Sequence, residues 1–351
     1  MTELRIAIIG AGQISQSCCK AADKHDSATV VAAFDPSPGR LKELCDEFKI
    51  PTACSSAEDM LALDNVDAVY VAVPNKFHAP YAKQALEAGK HVILDKPFAL
   101  SYDEAKAVAD AAEANGKLFM LGMNQRYRTD SQKIRNLVST GRLGEIYHAK
   151  AFWFRRSGIP KLGTWFGNKD LAGGGALLDI GVHLLDLCLH LSGNWNPVSV
   201  TGATYTKFGN RGLGEGSWGK SDKEDILFNV DDFASALIKF DNGATVTLDV
   251  SWACHAEEPN RNDVHLYGTE GGASTYPAKL FHYGAEGEDY QVVEDPEADI
   301  ALEHADRFHN FFNAILGTEQ PLTSVEEALT VQRILDAIYA SCASGKEVRL
   351  D

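Results

Sequence analysis

A glycine-rich turn near the beginning of the chain restricts the possible folds most strongly. The segment Gly10-Ala11-Gly12-Gln13-Ile14-Ser15 directly follows an apolar run over residues 5–9 and opens a helical pattern. Gly10 permits a tight turn, Gly12 lets a pyrophosphate approach the backbone, and the N terminus of the helix favours an anion. Ser15 stands where Gly or Ala is usual. In this context the segment predicts a dinucleotide-binding βαβ unit rather than a plain strand-to-helix turn, with Gly10, Gly12, Gln13 and Ile14 at the cofactor.

An acidic residue ends the second predicted strand, residues 29–35. There Asp35 can accept hydrogen bonds from the adenosine ribose hydroxyls and would repel the 2′-phosphate of NADP, which favours NAD and makes NADP less favoured. Arg40 lies near enough to contact the cofactor and to weaken this preference. The alternative is that Asp35 only begins the turn over residues 35–39.

The first third of the chain alternates β-rich runs with helical stretches, which is typical of a doubly wound parallel sheet, the Rossmann arrangement. A helix over residues 103–115 begins with the capping-box residues Ser101 and Glu104 and stops at Gly116. We predict strands over residues 5–9, 29–35, 68–73, 91–94 and 118–123.

Two motifs follow predicted strands at their carboxyl ends, where doubly wound sheets bind ligands. Pro74 and Asn75 should line the cofactor crevice, and His78 either contacts the cofactor or caps a helix over residues 79–88. Asp95-Lys96-Pro97 follows the next strand. The Lys96 ammonium could polarise a substrate oxygen, although a lysine after a strand is usually a solvated surface residue.

After residue 124 the pattern changes to longer alternating runs, which predict a C-terminal α+β domain with an open, mostly antiparallel sheet. We expect strands over residues 146–154, 198–208, 233–240, 245–252 and 264–267. The predicted domains are residues 1–124 and 125–351, with a terminal helix over residues 324–343 able to pack back on the first domain. A polar, glycine-rich loop over residues 209–229 is a lid, an oligomer contact or an ordinary surface loop.

A stripe of acidic and histidine residues lies on the helix that follows Gly173-Gly174-Gly175. Asp179, His183, Asp186 and His190 are spaced four, three and four residues apart, which places them on one helical face among leucines. We expect this face to line a wet cleft, where a histidine can exchange a hydroxyl proton. The alternatives are a structural Asp–His pair or a metal site. Further ligands at recognisable spacing are missing, so we predict no metal.

Composition limits the class of partner. The 351 residues suit two domains, and the net charge of -16 disfavours nucleic acid and anionic membranes, leaving a small-molecule substrate as the expected partner. Seven cysteines form no disulfide or zinc pattern, which predicts free thiols in a reducing cytoplasm. We see no export signal and no stretch apolar enough to span a bilayer.

Together these motifs resemble the Gfo/Idh/MocA family of oxidoreductases over nearly the whole chain. Besides the turn at Gly10, the resemblance rests on Val73-Pro74-Asn75 with His78, Asp95-Lys96-Pro97, the segment over residues 174–183 and the Asp241-Asn242-Gly243 hairpin. It implies that Lys96 lies between nicotinamide and substrate, that His183 is the general acid/base and that Asp179 binds a substrate hydroxyl. The family usually has Glu where this chain has Asp95, which is expected on the cofactor side.

The resemblance also implies further contacts and an assembly. The segment Asn124-Gln125-Arg126-Tyr127 should border the cleft, with Gln125 at the cofactor and Arg126 and Tyr127 at the substrate. A loop with Arg155, Arg156 and Trp165 should face the substrate, unless these are ordinary rim residues. The second-domain sheet is expected to form a homo-oligomer, a dimer or tetramer.

The predicted activity is NAD-dependent oxidation of a secondary hydroxyl on a sugar, cyclitol or glycoside, with hydride transfer to nicotinamide C4. One alternative is a glycosidase or epimerase of the same fold that retains NAD and oxidises only transiently. Another is a sugar sensor that binds NAD without catalysis.

Overall fold

The computed structural model describes residues 3–219, 221, 226–284, 289–300 and 306–350. Its helices are α1 Ser15–Ala22, α2 Pro38–Phe48, α3 Ala57–Leu61, α4 His78–Glu87, α5 Tyr102–Ala114, α6 Thr129–Ser139, α7 Lys169–Ala172, α8 Val182–Ser192, α9 Arg307–Leu316 and α10 Val325–Ser344. Its strands are β1 Leu4–Ile9, β2 Ala28–Phe34, β3 Thr52–Ala53, β4 Ala68–Val71, β5 His91–Leu94, β6 Phe119–Leu121, β7 Ile146–Arg155, β8 Pro197–Tyr205, β9 Phe233–Phe240, β10 Thr245–Ser251, β11 Asn260–Gly268, β12 Gly272–Ser274, β13 Lys279–Tyr283, β14 Tyr290–Glu294 and β15 Val348–Arg349.

The chain forms two compact units. The first contains Met1–Met123 and Asp306–Leu329, and the second contains Asn124–Ala305 and Thr330–Asp351. The boundary near residue 124 agrees with the sequence pattern within one residue. A continuous second domain over residues 125–351 was wrong, because the chain returns to the first unit for Asp306–Leu329.

The first unit is a doubly wound sheet, as predicted. Its six strands have the order β3-β2-β1-β4-β5-β6 and are all parallel. The five predicted strands are present with ends shifted by two residues or fewer. Only β3 was missed, because a run of two residues carries no periodicity.

The capping box of α5 is present with a small change. The Ser101 hydroxyl accepts a hydrogen bond from the Glu104 N–H at 3.3 Å, and the Glu104 carboxylate accepts one from the Leu100 N–H rather than from Ser101. Gly116 after the helix has a φ of +58°, as a glycine stop requires.

Helix α9 explains why residues near the C terminus belong to the first unit. Phe308, Phe311 and Phe312 are buried in the same apolar cluster as Ile6 and Ile8 of β1. The helix predicted over residues 324–343 is observed as α10, but most of α10 belongs to the second unit. The element that joins the first unit is therefore α9, which the sequence pattern did not single out.

The second unit contains a nine-stranded sheet in the order β14-β13-β12-β11-β7-β10-β9-β8-β15. Only β7 and β10 pair in parallel, which confirms a mostly antiparallel sheet. Helix α8 packs on β7, β10 and β11. The Asp241-Asn242-Gly243 turn joins β9 to β10, and its glycine has a φ of +84°. The short strands β12 to β15 were not predicted.

One helical stretch, Lys169–Ser192, is long and apolar enough to cross a membrane by length and composition. Its most apolar window is 78% buried inside the protein, which is typical of a core helix.

Candidate functional site

The glycine turn after β1 is shaped to receive an anion. Gly10 has a φ of +100°, and a Cβ there would lie 2.3 Å from the Ala72 carbonyl oxygen. At Gly12, by contrast, no atom in the described part of the chain lies within 4 Å of a Cβ position. The space in front of Gly12 is therefore open, and no side chain caps α1 behind it. These features fit a pyrophosphate at the N terminus of a helix.

Other residues of the turn have separate tasks. Ser15, the departure from the usual Gly or Ala, is fully buried, and its hydroxyl donates to the Gly10 carbonyl at 2.5 Å. Gln13 and Ile14 are exposed beside the turn. Ser15 thus replaces the close packing of a smaller residue with a hydrogen bond that fixes the turn.

Asp35 at the end of β2 begins a turn, as one of the two alternatives expected, and also contacts the glycine turn. Its carboxylate accepts hydrogen bonds from the Ala11 N–H at 2.7 Å and from the Ser37 N–H at 2.8 Å, so it holds the glycine turn and begins its own turn. A carboxylate offers about four acceptor positions, which leaves room for ribose hydroxyls. Arg40 is exposed on α2. The position fits the adenosine ribose of a dinucleotide.

At the end of β4, Pro74 is half-buried and Asn75 begins a single 3-10 turn, Asn75–Phe77. His78 is 1% exposed; its Nδ1 lies 2.6 Å from the Pro97 carbonyl oxygen and its Nε2 lies 2.9 Å from that of Val73. Burial lowers the pKa of His78. His78 does not cap α4, which has no side-chain cap among the described residues; its ring links the turns after β4 and β5, and its contact with a cofactor stays a prediction.

Asp95 and Lys96 follow β5 directly. The Asp95 N–H donates to the Val71 carbonyl and extends the β4–β5 ladder. The Asp95 carboxylate, only 15% exposed, is bound by the Arg307 guanidinium at 2.7 Å. The Asp95 carboxylate thus forms an ion pair that holds the turn carrying Lys96, and its contact with a cofactor stays a prediction.

In the second unit Asp179 and His183 lie where the helix changes its winding. Leu177–Gly181 is a π-helical turn that continues into α8, a feature often found at functional sites. The indole N–H of buried Trp252 donates to the Asp179 carboxylate at 2.7 Å. Asp179 and His183 are both partly exposed as residues.

An aromatic and a cationic side chain extend this cluster. The Trp153 ring lies 6.4 Å from the His183 ring, and the Arg155 guanidinium lies 4.4 Å over Trp153. Burial lowers the pKa of Arg155, while the Asp179 carboxylate favours its charged form. Arg155, Asp179 and His183, all expected at the site, thus lie around Trp153, which the sequence pattern did not identify.

Two further residues missed at the sequence level secure the start of this helix. The Asp231 carboxylate accepts hydrogen bonds from the Gly175 N–H, the Leu177 N–H and the Tyr339 hydroxyl at 2.7–2.9 Å. A Cβ at Gly175 would lie 1.8 Å from the Asp231 carbonyl oxygen. Burial raises the pKa of Asp231, against the effect of these donors. The paired acidic residues just before β9 were the available signal.

The other half of the polar stripe is separate. Asp186 is 1% exposed and forms two hydrogen bonds, of 2.9 and 2.5 Å, with the fully buried Arg126. Burial first, and then Arg126 and Arg135, lower the pKa of His190 to about 2. The expectation that the whole stripe faces a wet cleft was wrong for Asp186. Arg126, expected at the substrate, is instead the partner that neutralises it.

The remaining residues that we expected to contact the cofactor or the substrate lie in different parts of the second unit. Tyr127 is 1% exposed, so it is not available to a substrate. Gln125 accepts a hydrogen bond from the Tyr276 hydroxyl at 3.1 Å. Arg156 is exposed, donates to the Ala256 carbonyl and lines a cavity of about 640 Å³ with Phe208 and His255, among others.

Trp165 lies in a different cluster from Arg155. Its ring stacks on Phe166 at 3.8 Å, and Phe166 meets Trp218 of the glycine-rich loop at 6.1 Å. The Gly158 and Ile159 N–H groups both donate to the Gly214 carbonyl. The described part of the loop is therefore bonded to the Arg155–Trp165 segment; residues 220 and 222–225 of the predicted loop lie outside the described residues.

Within the described ranges no group of three or more His, Cys, Asp or Glu side chains could hold a metal ion. His183 and Asp186, the pair considered for a metal, instead contact Trp153 and Arg126 respectively.

Comparison with known proteins agrees with this arrangement. Residues 4–123 match the model of the oxidoreductase family with an NAD-binding Rossmann fold, and residues 131–274 match that of the GFO/IDH/MocA C-terminal domain. D-glucoside 3-dehydrogenase of Escherichia coli K12 is 31% identical over 350 residues, which cover 99% of this chain and 97% of that protein.

Two other relatives broaden the comparison. D-xylose 1-dehydrogenase (NADP(+)) 2 of Haloferax volcanii is 27% identical over 94% of both chains. A solved structure of levoglucosan dehydrogenase in complex with NADH and levoglucosan matches 99% of both chains with a TM-score of 0.83 and 22% identity, which shows a shared fold.

Proposed function

This chain belongs to the Gfo/Idh/MocA family of oxidoreductases, and from that membership we propose that it oxidises a secondary hydroxyl of a sugar, cyclitol or glycoside with NAD. The observation that carries the proposal is the pairing of Asp179 and His183 on one partly exposed turn, with Trp252 holding the Asp179 carboxylate. The names of the glucoside and levoglucosan dehydrogenases support the same class of substrate.

In the proposed mechanism, three side chains have separate chemical roles. His183 removes the proton of the reacting hydroxyl, since an imidazole is suited to proton transfer near neutral pH. Asp179, oriented by the Trp252 N–H, accepts a hydrogen bond from a substrate hydroxyl and fixes its orientation. The Lys96 ammonium stabilises the negative charge that develops on the oxygen. When bound, NAD supplies the hydride acceptor at nicotinamide C4.

Trp153 and Arg155 extend this group towards a hydroxylated ring. The indole offers an apolar face for stacking, and the guanidinium beside it offers donors to ring hydroxyls. Arg156 and its cavity would receive a further part of the substrate, because about 640 Å³ lies within the range of small-molecule pockets. We propose a substrate larger than a single small alcohol.

The roles of His183 and Lys96 are tested by single-turnover hydride transfer, once a screen of sugars, inositols and glycosides for NADH absorbance identifies a substrate. His183→Ala should lower the rate by about two to four orders of magnitude, and Lys96→Met should also impair it while leaving NAD affinity nearly unchanged. His190→Gln, on the same helix but beside Arg126, is the matched control and should keep the rate. Rates within a few-fold of the unmodified enzyme for both variants would disprove these roles.

The same assay separates the alternatives. A protein that retains bound NAD through purification and turns over substrate without net NADH would be the epimerase or glycosidase. A protein that binds NAD and sugar without any turnover would be the sensor.

We propose that NAD is preferred over NADP because the Asp35 carboxylate faces the adenosine ribose side of the glycine turn and would repel a 2′-phosphate. Asp35→Ser should reduce the preference. It also removes the hydrogen bond to Ala11, so thermal stability is measured in parallel with the dissociation constants of both cofactors. Tighter binding of NADP than of NAD by the unmodified protein would refute the proposal.

We also propose a homo-oligomer formed through the open face of the nine-stranded sheet. Trp153 lies on the side of β7 that faces α8, because its ring is near that of His183. Side chains alternate along a strand, so Phe152 and Phe154 face the opposite side. On that side Tyr205, Phe233, Phe154 and Phe152 form a continuous row with ring distances of 5.9–6.0 Å. An aromatic face of this extent suits a second copy of the chain.

Light scattering tests the assembly. Leu237, on the same side of β9 as Phe233, is 37% exposed, and Leu237→Lys should dissociate the oligomer. Tyr290→Lys on the edge strand β14 is the control and should leave the mass unchanged. A monomer at micromolar concentration in the unmodified protein would contradict the proposal.

We propose a cytoplasmic location. All seven cysteines are free thiols, and Cys18, Cys19 and Cys188 have pKa values raised by burial. Buried thiols without disulfides suit a reducing compartment.

A further inference from the structure

The turn that carries Lys96 is held by a residue from the far end of the chain. Arg307, the first residue of α9, lies 212 positions from Asp95 in sequence, yet its Nη1 donates to the Asp95 carboxylate at 2.7 Å. The same nitrogen donates to the Gly122 carbonyl at 2.6 Å, and Nη2 donates to the Tyr70 hydroxyl at 3.2 Å. One guanidinium thus connects α9 with residues of, or directly after, three adjacent strands, β4, β5 and β6.

The surroundings are built around this guanidinium. A Cβ at Gly122 would lie 2.7 Å from Arg307 Nη1, so only glycine leaves the space that the arginine fills. Tyr70 is fully buried, and its ring meets Phe308 edge-on at 5.0 Å. Arg307 itself is 7% exposed at its side chain. A buried cation requires a carboxylate partner, and the partner of Arg307 is Asp95.

The Asp95 carboxylate is influenced by more than one cation. Burial alone would raise the pKa of Asp95, but Arg307 foremost, together with Lys96 and His78, lowers the pKa below its ordinary value. Asp95 also raises the pKa of Arg307, against the effect of burial. Lys96 is the chain neighbour of Asp95 and stabilises the same carboxylate. Without Arg307, the positive charge of Lys96 would therefore be the largest remaining influence that favours the charged Asp95 carboxylate.

We propose that Arg307 is a positioning residue for Lys96: by satisfying the Asp95 carboxylate, it keeps the Lys96 ammonium directed to the substrate oxygen instead of to its own neighbour. This rests on the proposed role of Lys96. The shorter side chain of Asp95, where the family usually has Glu, is reached by Arg307 from α9. Arg307 therefore acts on the reaction only through Asp95 and Lys96.

Removing the arginine and then its partner tests this relation. Arg307→Met should lower the single-turnover rate of hydride transfer by about tenfold to a hundredfold and change the dissociation constant of NAD by less than about threefold. Adding Asp95→Asn to Arg307→Met should make hydride transfer at least about fivefold faster than in Arg307→Met alone, because the competing carboxylate is gone. Asp95→Asn alone should keep more of the rate than Arg307→Met, because Lys96 then has no competing carboxylate, although the buried Arg307 loses its partner and the thermal stability should fall.

A purely structural role would give a different pattern. In that case the double variant would be as slow as Arg307→Met, or slower, and both would lose thermal stability in parallel with rate. If Arg307→Met does not fold, Arg307→Gln, which keeps hydrogen-bond donors but no charge, replaces it, and adding Asp95→Asn should again recover the rate. Equal rates for Arg307→Met with and without Asp95→Asn would overturn the proposal.

A measurement on the protein without cofactor gives independent evidence. Competitive acetylation followed by mass spectrometry compares Lys96 with the exposed Lys76. Relative labelling of Lys96 should fall severalfold in Arg307→Met, because Asp95 engages the ammonium, and should return in the double variant. Unchanged labelling would contradict the proposal.

The two proposals fail in different ways. If Lys96→Met keeps the normal rate, the assigned function of Lys96 is wrong, whatever Arg307 does. If Lys96→Met is slow, then Arg307→Met should add no further loss in that background, and an additive loss would refute the positioning role alone.

Discussion

The buried ion pair between Arg126 and Asp186 gives the sharpest stability prediction. Their side chains are 0% and 1% exposed, and two hydrogen bonds of 2.9 and 2.5 Å join them. Removing one partner of a buried pair leaves an uncompensated charge and costs about 3–5 kcal/mol. With a urea slope of about 2–3 kcal/mol per M, Asp186→Leu should lower the unfolding midpoint by about 1–2.5 M.

Tryptophan fluorescence is a suitable assay because it reports the second unit alone. The chain has five tryptophans, and all lie within Asn124–Ala305: Trp153, Trp165, Trp195, Trp218 and Trp252. Their emission during urea unfolding follows the unit that contains the ion pair. The unfolding of the first unit does not have to coincide with it.

The double variant Asp186→Leu/Arg126→Met is the matched control. Replacing both partners by apolar side chains of similar volume is often nearly neutral, so its midpoint should return to within about 0.5 M of the unmodified protein. Substrate oxidation by the double variant should stay within a few-fold, since Asp186 is structural here. A double variant as unstable as Asp186→Leu, or one that folds but has lost hydride transfer, would refute this reasoning.

Three other predictions concern single residues. Gly10→Ala should destabilise the first unit, because its Cβ would lie 2.3 Å from a carbonyl oxygen at a φ of +100°. Gly12→Ala should keep the thermal stability and weaken NADH binding, measured by fluorescence titration; equal stability of the two variants would contradict the geometry. The pKa of His190 is lowered to about 2, so the unfolded chain gains a proton below pH 6.5 that the folded protein does not, and stability falls as the pH drops from about 6.5 towards 2. Between pH 6.5 and 5 this amounts to at most about 2 kcal/mol, and His190→Gln should flatten the difference between urea midpoints at pH 7 and pH 5; an unchanged difference would exclude His190 as its source. Tyr339→Phe removes one of three hydrogen bonds to Asp231 and should cost about 1.5–3 kcal/mol by tryptophan fluorescence, whereas no loss would show that the two backbone donors suffice.

Local patterns were sufficient for much of the fold. The strands of the first unit are short apolar runs bounded by turn residues. Gly10 and Gly116 have a positive φ, which the local turn at each position requires. The expectation that Asp179 and His183 lie on the same side of one helix follows from their four-residue spacing. Strands β12 to β15 were missed because they are short, and β15 also pairs with β8, which lies far away in sequence.

What the sequence by itself determined was therefore the doubly wound unit, the open second sheet and the residues that could carry the chemistry. Only the tertiary structure decided which of those residues are structural. Asp186 looks equivalent to Asp179 in sequence, but Arg126, 60 positions away, occupies it. Asp95 is bound by Arg307. The helix that carries Asp179 is held at Gly175 by Asp231, which lies 56 positions further along the chain. The partner of a buried charge is chosen by packing between distant segments, because a buried charge must be satisfied by whichever groups the fold brings to it, and no local spacing records which groups those are.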